Sequence, residues 1–113
     1  MATLYTRTFN LKDSLSDEEV LEFWRHCMDV MVPAAESVSG TRSVKLYSGA
    51  GGLRADITFL WEMDDASVYE RAIADPNINK HVGKYYGAWD MKSATQSFRR
   101  EVTPELIDAL SGK

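Results

Sequence analysis

The stretch 75-DPNINKHVGKYYGAWD-90 holds the side chains best suited to chemistry. An unperturbed histidine titrates near neutral pH, so His81 suits a general acid or base. Tyr85 follows four residues later, and on a helix that spacing puts imidazole and phenol on one face as a small polar couple. Tyr85 and its neighbour Tyr86 cannot both face inward; one hydroxyl points to the interior and needs a partner. His81 and Tyr85 are therefore the candidate catalytic residues. Amphipathic residues settling the end of a helix onto a sheet account for the same spacing.

A second group is aromatic. In 53-LRADITFLWEM-63, Ala55, Ile57, Phe59, Trp61 and Met63 alternate with Arg54, Asp56, Thr58, Leu60 and Glu62, the two-residue period of a strand. Phe59 and Trp61 thus share a face, and Trp24 lies on the apolar stripe of a helix expected to oppose them. These three could line a pocket for a small hydrophobic or aromatic molecule. They could equally be core, where aromatic residues at such spacing most often belong. Arg7, Arg54, Asp56, Gln96 and Arg99 also fall on expected strands. A buried charge without a partner is too costly, so ion pairs across a subunit interface are their first use. The functional alternative is Arg99, or Arg100, holding an anionic ligand.

Other chemistry is excluded. Cys27 sits in an apolar stripe with no base beside it and reads as a buried structural thiol. Zinc-ligand spacing, a phosphate loop, a G-x-S-x-G elbow and a dinucleotide fingerprint are all absent from the sequence. Neither a metal nor a cofactor is expected, and hydrolase, kinase and NAD chemistry drop out.

The 113 residues are read as one domain, 1–113, with a core over 3–102 and a C-terminal tail over 103–113. Such a chain buries enough surface to fold without a disulfide or metal staple. Hydrophobic residues at 44% and charged ones at 27% describe an ordinary globule. A net charge of −4, with no basic run longer than Arg99-Arg100, argues against nucleic acid and anionic membranes as partners. A single cysteine and an N-terminus without an apolar signal region give a cytoplasmic expectation.

The elements that must position the candidate residues follow from periodicity. Residues 2–9 favour a strand. Residues 16–38 carry helical period, opened by the capping-box spacing of Ser16 and Glu19. Val20, Trp24, Cys27, Met28, Met31, Ala35 and Val38 form its apolar stripe. Pro33 predicts a kink or early end near Val32, and Gly40 a stop. Residues 41–48 and 53–63 flank GAGG as a hairpin. A second helical segment runs from Asp64-Asp65, is interrupted at Asp75-Pro76 and resumes over 77–86. Residues 91–102 read as a strand, and Pro104 onward as a short helix or tail. The order βαββαβ is the ferredoxin-like α+β arrangement, an antiparallel sheet with both helices on one face. Neither sheet face reads as fully solvated, which predicts a homodimer that pairs sheet against sheet.

Three features together resemble the dimeric α+β-barrel superfamily: the element order, the "VP…SG.RS.KLYSG" passage and the "DDASVYERAIADPNINKHVGKYYG" second helix. That group includes antibiotic-biosynthesis-type and haem-degrading monooxygenases, stress-responsive barrel proteins, and muconolactone-isomerase-like and EthD-like proteins. The resemblance spans residues 3–102 and implies a dimeric barrel with a pocket between helices and sheet in each protomer. It further implies cofactor-independent monooxygenase or isomerase-like activity on a small hydrophobic or aromatic molecule. The alternative is a non-catalytic ligand- or partner-binding stress-responsive barrel. Haem-degrading members ligate iron through a histidine that corresponds to His81, but the tryptophan they carry would fall near Arg71 and is missing.

Overall fold

A computed structural model describes residues 2–49 and 52–112. The chain runs β1 (Thr3–Leu11), α1 (Asp17–His26), a π-helical turn (Cys27–Met31), α2 (Val32–Glu36), β2 (Thr41–Tyr47) and β3 (Ile57–Met63). It continues through α3 (Ser67–Ala74), α4 (Pro76–Gly87), β4 (Trp89–Arg100) and α5 (Pro104–Leu110). The four strands form one antiparallel sheet in the order β2-β3-β1-β4. This is the expected ferredoxin-like α+β fold.

Local chemistry explains the helix ends. The Ser16 hydroxyl accepts from the Glu19 amide at 3.1 Å, and the Glu19 carboxylate accepts from the Ser16 amide at 3.0 Å, a complete capping box. Gly40 ends the first helical layer at φ +94°, where only glycine is comfortable. Pro33 acts upstream of its own position. It has no N–H for the carbonyl four residues back, and the chain widens into the π turn, with the Val32 amide bonding the Cys27 carbonyl. Asp75 adopts an extended backbone before Pro76 and caps α4 by accepting from the Asn77 amide at 2.9 Å.

Three expectations need correction. The hairpin is wider than predicted, because β3 starts at Ile57 and residues 53–56 are loop. Asp56 takes a positive φ of 56°, which breaks the extended run, so Arg54, Ala55 and Asp56 do not join the alternation. Within the GAGG turn, Ala50 and Gly51 lie outside the described residues. The last strand begins two residues earlier than predicted, at Trp89, and ends at Arg100. On the first helix Met28 is exposed, whereas Phe23 and His26 are buried: the inward face of α1 runs through Val20, Phe23 and Cys27, and the π turn carries it on to Met31 and Ala35.

The core lies between sheet and helices in two clusters. One gathers Phe9, Leu11, Val20, Phe23, Cys27, Ile57, Tyr85 and Trp89 near the start of α1. The other gathers Tyr5, Ala35, Phe59, Trp61, Met63, Val68 and Ala72 toward α3. Strand β3 alternates buried and half-buried residues throughout, which aims Phe59 and Trp61 at the helices.

Candidate functional site

A half-enclosed cavity of about 130 Å³ lies at the seam of the two clusters. Its floor is Tyr5 and Arg7 of β1 with Phe59 and Trp61 of β3. Met31 and Ala35 close one side. The broken α3–α4 segment supplies the roof through Tyr69, Ala72, Ile73, Ile78, Asn79 and Val82, and Tyr85 and Tyr86 both stand at one end, against the expectation that one of them faces outward. Sequence makes the room. Two of the roof and side positions are alanines, and the Asp75-Pro76 break bends the roof away from the sheet. The Asn79 amide locks that bend by donating to the Ile73 carbonyl at 2.7 Å.

The polar groups of the wall are few and oriented. Arg7 is half-buried, and its guanidinium carbon lies 5.4, 5.7 and 5.2 Å from the ring centres of Tyr5, Tyr86 and Trp89. Its Nη1 donates to the Tyr86 hydroxyl at 3.0 Å, and its Nη2 donates to Gln96 Oε1. Gln96 Oε1 also accepts from the Tyr5 hydroxyl at 3.3 Å. Among the described residues, no acidic side chain lines the cavity. Burial holds the Tyr85 and Tyr5 phenols well above the usual tyrosine range, so both are neutral hydrogen-bond donors and not bases. Trp61 is fixed by its Nε1, which donates to Thr41 Oγ1 at 3.0 Å.

The structure brings together Phe59, Trp61 and Tyr85 of the predicted site residues and puts the other three elsewhere. Trp24 does not oppose Trp61 as expected. Phe23 takes the inward position, and the Trp24 indole donates to the Leu53 carbonyl at 3.0 Å, tying α1 to the loop before β3. His81 lies on the α1 side of α4, its ring 6.2 Å from that of His26 and its carbonyl 3.3 Å from His26 Nε2. It forms no hydrogen bond with Tyr85, which packs instead against Phe23 and Phe9 at 5.7 and 6.0 Å. Arg99 pairs in register with Leu4, on the sheet face away from the helices, next to Glu62 and Glu101. Arg54 spends its donors within the chain, on the Leu15 carbonyl and the Asp17 carboxylate, each at 2.8 Å. Burial pushes the Cys27 thiol up to about 12, as an inert structural thiol requires. Among the described residues, no three His, Cys, Asp or Glu side chains gather as a metal site. No described helix is long and apolar enough to cross a membrane.

The residues missed from the sequence were Arg7, Tyr86, Tyr69 and Asn79. A signal for Arg7 exists: it falls in phase with Tyr5 and Phe9, a cation on the inward stripe of β1.

No protein-family model matches the sequence, and no curated protein matches it either. Solved structures do. SnoaB, a cofactor-independent oxygenase from Streptomyces nogalater, superposes with a TM-score of 0.67 at 11% identity, over 91% of this chain and 97% of that one. A conserved protein from Methanosarcina mazei Go1 gives 0.73 at 17% identity, over 90% and 94%. A dimeric protein of unknown function and ferredoxin-like fold from Bacteroides fragilis gives 0.66 at 16% identity, over 88% and 96%. This chain has the ferredoxin-like α+β fold. At these identities the likeness extends to the fold alone, and within that fold the cavity occupies the space between the helical layer and β1–β3.

Proposed function

We propose that this protein binds a small aromatic molecule in the cavity between its helices and sheet. The single observation that carries the reading is the cavity itself, walled by aromatic and aliphatic side chains with a few convergent donors. Its size points to one ring, since an apolar cavity of roughly 150 Å³ accommodates benzene. Tyr85 is the proposed hydrogen-bond donor to a ligand oxygen. His81 acts in this reading through the packing of α4 on α1, by way of His26. The test is titration with phenol, followed by amide chemical shifts. Residues around Ala72, Ile78 and Val82 shift in the parent protein, and Ala72→Phe, which fills the space, abolishes the response. A response that survives Ala72→Phe sinks the reading.

The likeness to a cofactor-independent oxygenase favours a second reading, in which the bound ring is turned over. An electron-rich phenolate can itself reduce dioxygen. One oxygen atom then enters the ring to give a quinone, and the second leaves as water with one ring C–H hydrogen and the proton of the phenol O–H. Oxygen uptake above the uncatalysed rate, lost in Ala72→Phe, supports turnover; binding without uptake supports a non-catalytic ligand-binding protein. In both readings the protein works as a homodimer through the outer sheet face, where Leu4 and Leu60 lie among Thr6, Thr8 and Thr58. The dimeric state of the similarly folded Bacteroides fragilis protein supports this. Light scattering measures it directly, and Leu60→Glu should give monomers.

A further inference from the structure

We propose that the cavity selects an aromatic anion, a single ring bearing a carboxylate or phenolate oxygen that docks on Arg7 and Tyr86. This rests on the cavity being a binding site and adds the charge of what it binds.

Among the described residues, Arg7 is the only arginine or lysine in the cavity wall, and no carboxylate answers it there. Both ion pairs among the described residues belong to other arginines, Arg42 with Asp64 and Arg54 with Asp17. Its own hydrogen-bond partners, the Tyr86 hydroxyl and the Gln96 side-chain carbonyl, are neutral. A guanidinium has five N–H donors in a rigid fork, and these two contacts leave donors over. The rings of Tyr5, Tyr86 and Trp89 hold it in place, so little rotamer freedom remains to be lost when a ligand arrives. The Tyr86 oxygen accepts from Arg7, which leaves its own proton free to be donated. Both side chains line the cavity, and together they offer charged and neutral donors to one oxygen anion.

A half-buried cation without a counter-charge is poorly stabilised, and an arriving anion supplies the missing partner. A neutral ring of equal size leaves it as it was. Hydrogen bonds to charged groups are among the stronger ones, so the preference for the anion should reach roughly ten-fold or more.

The experiment compares benzoate with benzamide, a neutral ring of nearly the same shape, by chemical-shift titration at neutral pH and low salt. The expected result is benzoate bound at least about ten-fold more tightly by the parent protein. Arg7→Gln brings benzoate down to the level of benzamide and leaves benzamide within a few-fold, while Tyr86→Phe costs benzoate a smaller factor. Arg7→Lys, which keeps the charge but not the fork, retains part of the preference and covers the case in which Arg7→Gln does not fold. Equal binding of benzoate and benzamide overturns the anion claim and leaves the aromatic cavity standing. A preference that persists in Arg7→Gln also overturns it. Failure of both rings, and of phenol, removes the binding site and this inference with it.

Discussion

Phe9 and Trp89 stack with ring centres 3.9 Å apart and planes 15° from parallel. The pair joins the second half of β1 to the junction of α4 and β4, and Tyr85 and Tyr86 pack edge-on against the same indole at 4.9 and 4.6 Å. Whatever fixes Trp89 therefore fixes the two tyrosines at the end of the cavity.

Trp89 is fully buried, yet its indole N–H finds no acceptor among the described residues. Trp89→Ala should cost about 3–5 kcal/mol, the usual range for a large buried aromatic. Trp89→Phe should cost clearly less, because a buried donor without a partner carries a penalty of about 1–3 kcal/mol that phenylalanine does not. Urea unfolding of the two variants checks the order, and equal losses would contradict it.

His26 gives the fold an acid-sensitive joint. Burial is the main cause holding its imidazole below the usual value; the hydrogen bond to the His81 carbonyl opposes it, and the charges of Lys84 and the His81 ring act with burial. A depressed folded pKa means that the unfolded chain takes up the proton first. Stability should thus be complete above about pH 6.5 and fall as pH drops through the folded value. Denaturant midpoints between pH 7 and pH 5 should decline in the parent protein, and His26→Leu should flatten that decline. An unchanged slope in the variant would exclude His26 as its source.

At the alkaline end the sign reverses the direction. Burial raises the Cys27 thiol from 9.0 to about 12, so its contribution is whole below pH 9 and is lost as pH climbs toward 12. The slope is about 1.4 kcal/mol per pH unit for one proton. Tyr85 and Tyr5, also raised by burial, steepen the loss above pH 10. Cys27→Ala should be less stable at neutral pH but show a shallower fall between pH 9 and pH 10, measured by urea midpoints.

Two glycines should respond oppositely to alanine. At Gly40 a methyl group would meet Val68 Cγ2 at 2.7 Å on a backbone with φ +94°. Gly40→Ala should cost more than about 1–2 kcal/mol, the left-handed penalty alone. Gly83, inside α4, has nothing within 4 Å of a built methyl carbon, so Gly83→Ala should stabilise by roughly 0.5–1 kcal/mol. Thermal unfolding of both variants separates the effects.

The fold was legible because its signals are local. The capping box at Ser16 and Glu19, the alternation over Ile57 to Met63 and the break at Asp75-Pro76 each lie within a few residues. What was lost depended on one residue's backbone or on distant partners. Asp56 at φ 56° shortens β3, and no pattern in the apolar residues marks it. Arg7 and Tyr86 meet across 79 positions of sequence. The phase of β4 sends Phe98 and Gln96 to the helix side with Tyr5 and Arg7, and Arg99 to the other side with Leu4. Strand composition alone leaves that phase open. On α4, Ile78, Val82, Tyr85 and Tyr86 face the cavity, and His81 lies one step off their line.

The widened turn over Cys27 to Met31 accommodates, in effect, one residue more than a regular coil would hold. Each residue of an α-helix advances about 100° around its axis. Keeping the residue count but tightening this turn to a regular coil, as Pro33→Ala would permit, would swing one half by that angle against the other. Phe23 and Cys27 could then no longer point inward together with Met31 and Ala35. The alignment of the cavity's side wall thus hangs on a count of residues as much as on their identity, and a one-codon deletion of exposed Met28 should restore a regular coil with Phe23, Met31 and Ala35 still in line.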